Sequence, residues 1–186
     1  IQIPHDIGLK ASFTYQADSI LAQVNTRSNE GTLIFHGRYI PHTQQYTLTL
    51  RTDTLDLHSI LPTRALGSAS LLAAIEGSGL DWDAPSSHIA CSIWIDSLEL
   101  AARTYSNAHL QASLHNHQLQ MEASYADTLI RLALKGTARY TASKLQAHLY
   151  AHVFESDLQG LGITEVDIQP SFQSHCSLTI VSAQVY

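Results

Sequence analysis

The chain has 186 residues, 45% of them hydrophobic and only 14% charged, with a formal net charge of −6. This length suits one domain able to bury apolar surface. The 10 Lys and Arg are scattered, which argues against nucleic acid, whose phosphates call for clustered cations. No apolar run reaches the ~18 residues of a membrane-spanning helix.

The chain opens on Ile1 without an initiator methionine or a signal-like segment, as expected of an excised piece or a mature fragment. Alternation of apolar and polar residues begins at Phe13 and Tyr15. After a turn at Ser28-Asn29-Glu30-Gly31 it resumes over residues 32–39, and after Pro41-His42 over residues 46–51. Residues 56–65 read as a short helix that Pro62 breaks. Turn material follows at Gly77-Ser78-Gly79 and at Ala84-Pro85-Ser86-Ser87.

Residues 88–96 carry Ile89, Cys91, Ile93 and Ile95 on one side, and residues 97–102 carry Leu98 and Leu100. A turn is expected at Ser106-Asn107. The stretch NAHLQASLHNHQLQMEASYADTLIRLALKG, residues 107–136, then reads as three strands joined by tight turns. Leu110 and Leu114, Leu119 and Met121, and Ile130, Leu132 and Leu134 fall on one side of them. Gln111, Ser113, Gln120, Glu122 and Arg131 fall on the other. Residues 145–153 repeat the pattern with Leu145, Ala147, Leu149, Ala151 and Val153, and Leu178 and Ile180 close it. A second short helix is expected over residues 155–161, limited by Gly160 and Gly162. The fold class is therefore all-β, with more than ten antiparallel strands and one or two short helices.

An internal repeat is visible. The stretch from Gly37 aligns without a gap on the stretch from Ala138: Arg38-Tyr39 falls on Arg139-Tyr140, Gln45 on Gln146, Leu48 on Leu149, and Asp56-Leu57 on Asp157-Leu158. The chain is thus a single β-repeat domain over residues 1–186, divisible into two tandem units of about 1–84 and 85–186.

Enzyme constellations are missing: there is no GxSxG, HExxH, phosphate-binding loop or CxxC, so no catalytic residue and no cofactor is assigned. The 11 His residues raise the question of metal. His148 and His152 share a strand face about 13 Å apart, too far for one ion, and His115 and His117 flank a turn. Asp81 and Asp83 around Trp82 are too few for calcium. No metal site is assigned. Cys91 and Cys176 either bridge or pack as small hydrophobes.

The oily side of the sheet is the remaining signal. A second sheet, closure into a barrel, or one long sheet folded on itself would hide it. The last two create an apolar interior able to hold a greasy ligand. Its expected lining is Leu48, Leu50, Ile93, Leu98, Leu100, Leu110, Leu114, Leu119, Met121, Ile130, Leu132, Leu134 and Leu149.

Three segments carry a family resemblance: Ser106-Asn107-Ala108-His109-Leu110, then residues 114–119, LHNHQL, then residues 127–132, DTLIRL. Residues 46–61 and Gly77-Ser78-Gly79-Leu80-Asp81 add to it. Over residues 13–161 the chain resembles the TamB/AsmA-like proteins of Gram-negative bacteria, closest in texture to the large chains of the Bacteroidetes. The resemblance implies a long, U-shaped antiparallel sheet, the β-taco, with an apolar concave face. It implies a middle segment of a periplasmic protein anchored at the inner membrane, with membrane contact through other parts of the chain. It further implies phospholipid acyl chains as cargo between the two membranes, and an Omp85-type outer-membrane protein as partner.

Two readings stand beside lipid transport. One is a chaperone-like scaffold that holds outer-membrane protein strands by β-augmentation. The other is a secreted β-sandwich for carbohydrate binding or adhesion, which would rely on exposed aromatics, here only 8% of residues.

Overall fold

The computed structural model describes residues 8–60, 65–81, 84–101, 103–141 and 144–181. Pro62, Trp82, Asp83 and the last five residues lie outside them. The eleven strands are β1 (Gly8–Gln16), β2 (Ser19–Ser28), β3 (Gly31–Ile40), β4 (Gln45–Asp56), β5 (Leu66–Ser78), β6 (His88–Leu100), β7 (Arg103–His115), β8 (Gln118–Ala126), β9 (Ile130–Thr141), β10 (Lys144–Ser156) and β11 (Phe172–Val181). They form one sheet in sequence order, every neighbour antiparallel. Most connections are short, and a turn of a few residues can only return the chain beside itself; the β4–β5, β5–β6 and β10–β11 connections are longer and still join neighbours. The β7–β8 turn is an example: Asn116 (φ 48°) and His117 (φ 60°) both adopt the left-handed conformation that a two-residue hairpin matched to sheet twist requires.

Several expected boundaries move. Residues 88–96 and 97–102 are not separate strands, since β6 runs unbroken from His88 to Leu100. Ser106-Asn107 is not a turn. Asn107 (φ 55°) lies inside β7, where the pairing skips it opposite Asp96. The alternation has no clear start in β5, because Leu71, Leu72, Ala73, Ala74 and Ile75 form a continuous apolar run.

Of the helix expected over residues 56–65, α1 (Leu57–Ile60) is seen, begun where the Asp56 carboxylate accepts the His58 N–H at 2.9 Å; residues 61–64 lie outside the described residues. The helix expected over residues 155–161 is absent. Glu155 and Ser156 end β10, and the next residues make a single turn in which the Leu161 N–H donates to the Asp157 carbonyl at 3.0 Å. Gly160 and Gly162 on either side give it no propensity to continue.

The two stretches of the gapless alignment pair in different registers. Leu48 pairs with Gly37, and Leu149 pairs with Gly136 rather than with Ala138. The β9–β10 connection is two residues shorter than the β3–β4 connection, so the equivalence of β3 and β9 shifts by two. The aligned residues Asp56 and Asp157 make similar backbone bonds: the Asp56 N–H donates to the Glu30 carbonyl and the Asp157 N–H to the Leu129 carbonyl, each at 2.7 Å.

The sheet is a single layer and is not strongly curled. This corrects the U-shaped expectation. Among the described residues, sizeable contacts between elements join only consecutive strands, together with α1 on β5, so none of them draws distant strands toward each other. The protein exposes 12906 Å² of surface, whereas a compact protein of its mass exposes about 8,800 Å². Among the described residues, buried hydrophobic side chains are limited to Leu55, Ala69 and Val153. Two of these sit at the β4 bulge. There the Thr52 hydroxyl donates to the Ala69 carbonyl at 3.1 Å and accepts from the Leu71 N–H at 3.2 Å, replacing the interrupted ladder.

Candidate functional site

Side chains paired across an antiparallel ladder share a face, so the register alone sorts the two faces. One row crosses all eleven strands: Phe13, Ala22, Gly37, Leu48, Ile75, Cys91, Ala112, Met121, Gly136, Leu149 and Cys176. It contains no polar side chain. The next row contains Val24, Phe35, Leu50, Ala73, Ile93, Leu110, Ala123, Leu134 and Ala151, with Ser174 on the last strand. On the other side lie Tyr15, Ile20, Tyr39, Tyr46, Gly77, Ile89, Leu114, Leu119, Ala138, Ala147 and Leu178. A fourth row contains Leu33, Leu71, Ile95, Ala108, Tyr125, Leu132, Val153 and Phe172, with Thr26 and Thr52 as its polar members.

These rows gather Leu48, Leu50, Ile93, Leu110, Leu114, Leu119, Met121, Leu132, Leu134 and Leu149 onto one face. Ile130 follows two residues before Leu132 on the same strand face, opposite Ser156. Leu98 and Leu100 lie beyond the irregularity at Asp96. Leu98 pairs with Ala69 and Tyr105, and the Tyr105 ring reaches the Tyr125 ring at 6.0 Å. Leu100 pairs with Leu66 and is 38% exposed. Ile75, Ile89, Ile95, Tyr46 and Tyr125 complete the face. Alternation already puts Ile89 and Ile95 on the apolar side of their strand, but none of the five is in the expected lining; the continuous apolar run of β5 hides Ile75.

Eleven strands at about 4.8 Å and four rows at about 6.8 Å give this face roughly 50 by 20 Å, on the order of 1,000 Å². Apolar patches on monomers rarely exceed a few hundred Å². Among the described residues no second layer of strands or helices packs on it.

The polar face differs in shape as well as chemistry. Gln111, Ser113, Gln120 and Glu122 project from it, with Lys135 beside Glu122 at 2.9 Å. A depression of about 990 Å³ lies on this face and crosses β4 to β10. An apolar concave face was expected; the hollow is on the polar side. Side-chain size accounts for this. On the apolar face, Phe35 and Leu48 close over Gly37, Tyr46 over Gly77 and Met121 over Gly136. On the polar face, Thr47, Thr49, Ala74, Ala90, Ser92 and Ser113 leave a low floor.

Cys91 and Cys176 are both free thiols, five strands apart in one row. Among the described residues no three His, Cys, Asp or Glu side chains gather around a common point, and no helix is long and apolar enough to cross a membrane. The main electrostatic perturbation is at the β8–β9 turn. The Tyr125 hydroxyl donates to Asp127 Oδ2 at 2.5 Å, and the N–H groups of Leu129 and Ile130 donate to Oδ1 at 2.7 Å. Desolvation raises the Asp127 carboxyl pKa, but these hydrogen bonds outweigh it and hold the group below its ordinary value. Desolvation and the bond to Asp127 push the Tyr125 phenol up to about 12.

No protein-family model, curated protein or solved structure matches the chain.

Proposed function

We propose that the apolar face is a bed for phospholipid acyl chains, within a longer non-catalytic protein of the bacterial envelope. The supporting observation is the four-row apolar face, over which no second layer of strands or helices packs among the described residues. Exposing an acyl chain to water costs about 0.8 kcal/mol per methylene, so about fourteen methylenes set a barrier of about 11 kcal/mol. A continuous apolar row from β1 to β11 lowers that barrier at every step and offers no polar hook to hold the cargo. Because the sheet is not strongly curled, the lipid lies on an open surface, bounded by neighbouring sheet rather than by two walls of this segment.

In this reading the segment works in the periplasm and continues into adjoining sheet at both edges. An Omp85-type partner at the outer membrane belongs to the same proposal. A second reading rests on those edges. β11 has neither Pro nor a charged residue between Phe172 and Val181, devices that natural edge strands use to stay unpaired. Such an edge could also hold a client strand by β-augmentation.

Mass spectrometry of organic extracts from the purified chain tests the proposal. Co-purified phospholipid is expected. A lipid-free preparation carrying bound peptide would favour the scaffold instead.

A further inference from the structure

We propose that the hollow on the polar face binds a straight, neutral glycan chain lying across the strands. This site is separate from the lipid bed, on the opposite side of the sheet.

The hollow spans β4 to β10, six interstrand steps of about 4.8 Å, or about 29 Å. That length accommodates several sugar units of an extended chain. The floor beneath is continuous ladder, so its backbone groups are already paired. An incoming peptide therefore cannot add here by main-chain hydrogen bonds, and recognition falls to side chains. Those available are mainly hydroxyls and carboxamides, among them Thr49, Ser92, Gln111 and Gln120. Such groups both donate and accept, as sugar hydroxyls do. They recur at the interstrand spacing, comparable with the rise of an extended sugar chain.

Charge excludes the polyanionic alternatives. Among the described lining residues Lys135 is the one cation and is paired with Glu122 at 2.9 Å, and Glu76 leaves an excess of negative charge. At the β10 end stands Tyr150, 51% exposed. Its ring stacks on His175 with centroids 4.2 Å apart and planes 4° from parallel, which fixes it in place. An aromatic ring held this way offers apolar contact to the C–H surfaces of a sugar at low entropic cost.

Calorimetric titration of the 186-residue chain tests this, with its apolar face occupied by a short-chain phosphatidylcholine. The probes are cellohexaose and chitohexaose, which are straight, and maltohexaose, which coils. Saturable binding of at least one straight hexasaccharide is expected, with maltohexaose weaker by about tenfold or more. Tyr150→Ala should weaken binding by about tenfold, the loss typical of an aromatic anchor. Ser113→Tyr, which raises the floor, should abolish it. Both positions face solvent on one side of the sheet, and an unchanged circular dichroism spectrum confirms folding. No saturable binding of either straight chain, or binding indifferent to both substitutions, would overturn the proposal.

Discussion

Met121 stands directly opposite Gly136 across the β8–β9 pair, and its Cγ lies 2.6 Å from where a Cβ on Gly136 would be. The flexible thioether chain thus fills the place of the missing side chain and keeps the central apolar row level. Gly136→Val should drive Met121 off its position and destabilise the sheet by about 1–3 kcal/mol, the usual range for overpacking. Met121→Ala in the same chain should recover most of that loss. Thermal melts of the four members of this double-mutant cycle measure the coupling. Additive effects would show that the two residues do not share the space.

Gly31 is less forgiving. It adopts φ 119°, and a Cβ there would meet backbone, Leu55 Cα at 2.5 Å and the Thr54 carbonyl at 2.6 Å. Backbone at the β4 bulge cannot step aside as Met121 can. Gly31→Ala should therefore cost on the order of 2 kcal/mol or more and exceed the cost of Gly136→Ala. The order of the two melting temperatures decides this.

The Tyr125–Asp127 pair gives stability a pH dependence with two limbs. Asp127 has a lowered pKa in the folded state, so its contribution is present above the unfolded value of about 4 and lost as pH falls through the folded one. Tyr125 is raised to about 12, so its contribution is present below the unfolded value of about 10 and lost as pH rises through the folded one. The stability gap between the wild type and Tyr125→Phe should be widest between these limbs and narrow toward both. A gap constant from acid to alkali would contradict the assignment.

Strand existence in residues 107–136 could be read directly, because Leu110, Leu114, Leu119, Met121, Leu132 and Leu134 alternate with polar neighbours on strands whose other face meets water. β5 could not, because Ala74 and Leu72 place apolar residues on the polar face and erase the period. The curvature was not legible either. It depends on which side chains meet across rows, and no single strand carries that information. The same holds for the polar hollow: Thr49, Ala74 and Ser92 become neighbours only once three strands are in register. The U-shaped expectation rests on the family resemblance and on the need to hide the apolar side, and neither fixes how far a sheet curls.

The edges make a separate prediction. With the apolar face occupied by short-chain phosphatidylcholine, the chain should still self-associate in sedimentation, through unpaired β1 or β11. Ser177→Lys with Thr179→Lys charges the polar side of β11 and leaves the apolar rows intact. Weakened association is expected if β11 is the contact. Strict monomer behaviour of the unmodified chain at high concentration would count against sheet continuation.

The lipid bed itself is tested most directly by photocrosslinking in cells, with the reactive residue placed in turn at Leu119, Leu132, Gln120 and Arg131. Leu119 and Gln120 are adjacent in β8 and project from opposite faces, as do Leu132 and Arg131 in β9. Phospholipid adducts are expected at Leu119 and Leu132 and not at Gln120 or Arg131. Leu132→Arg should leave the sheet folded, since this half-buried position has no second layer above it, and should abolish capture at Leu119. Equal capture from both faces, or none from either, would contradict the account.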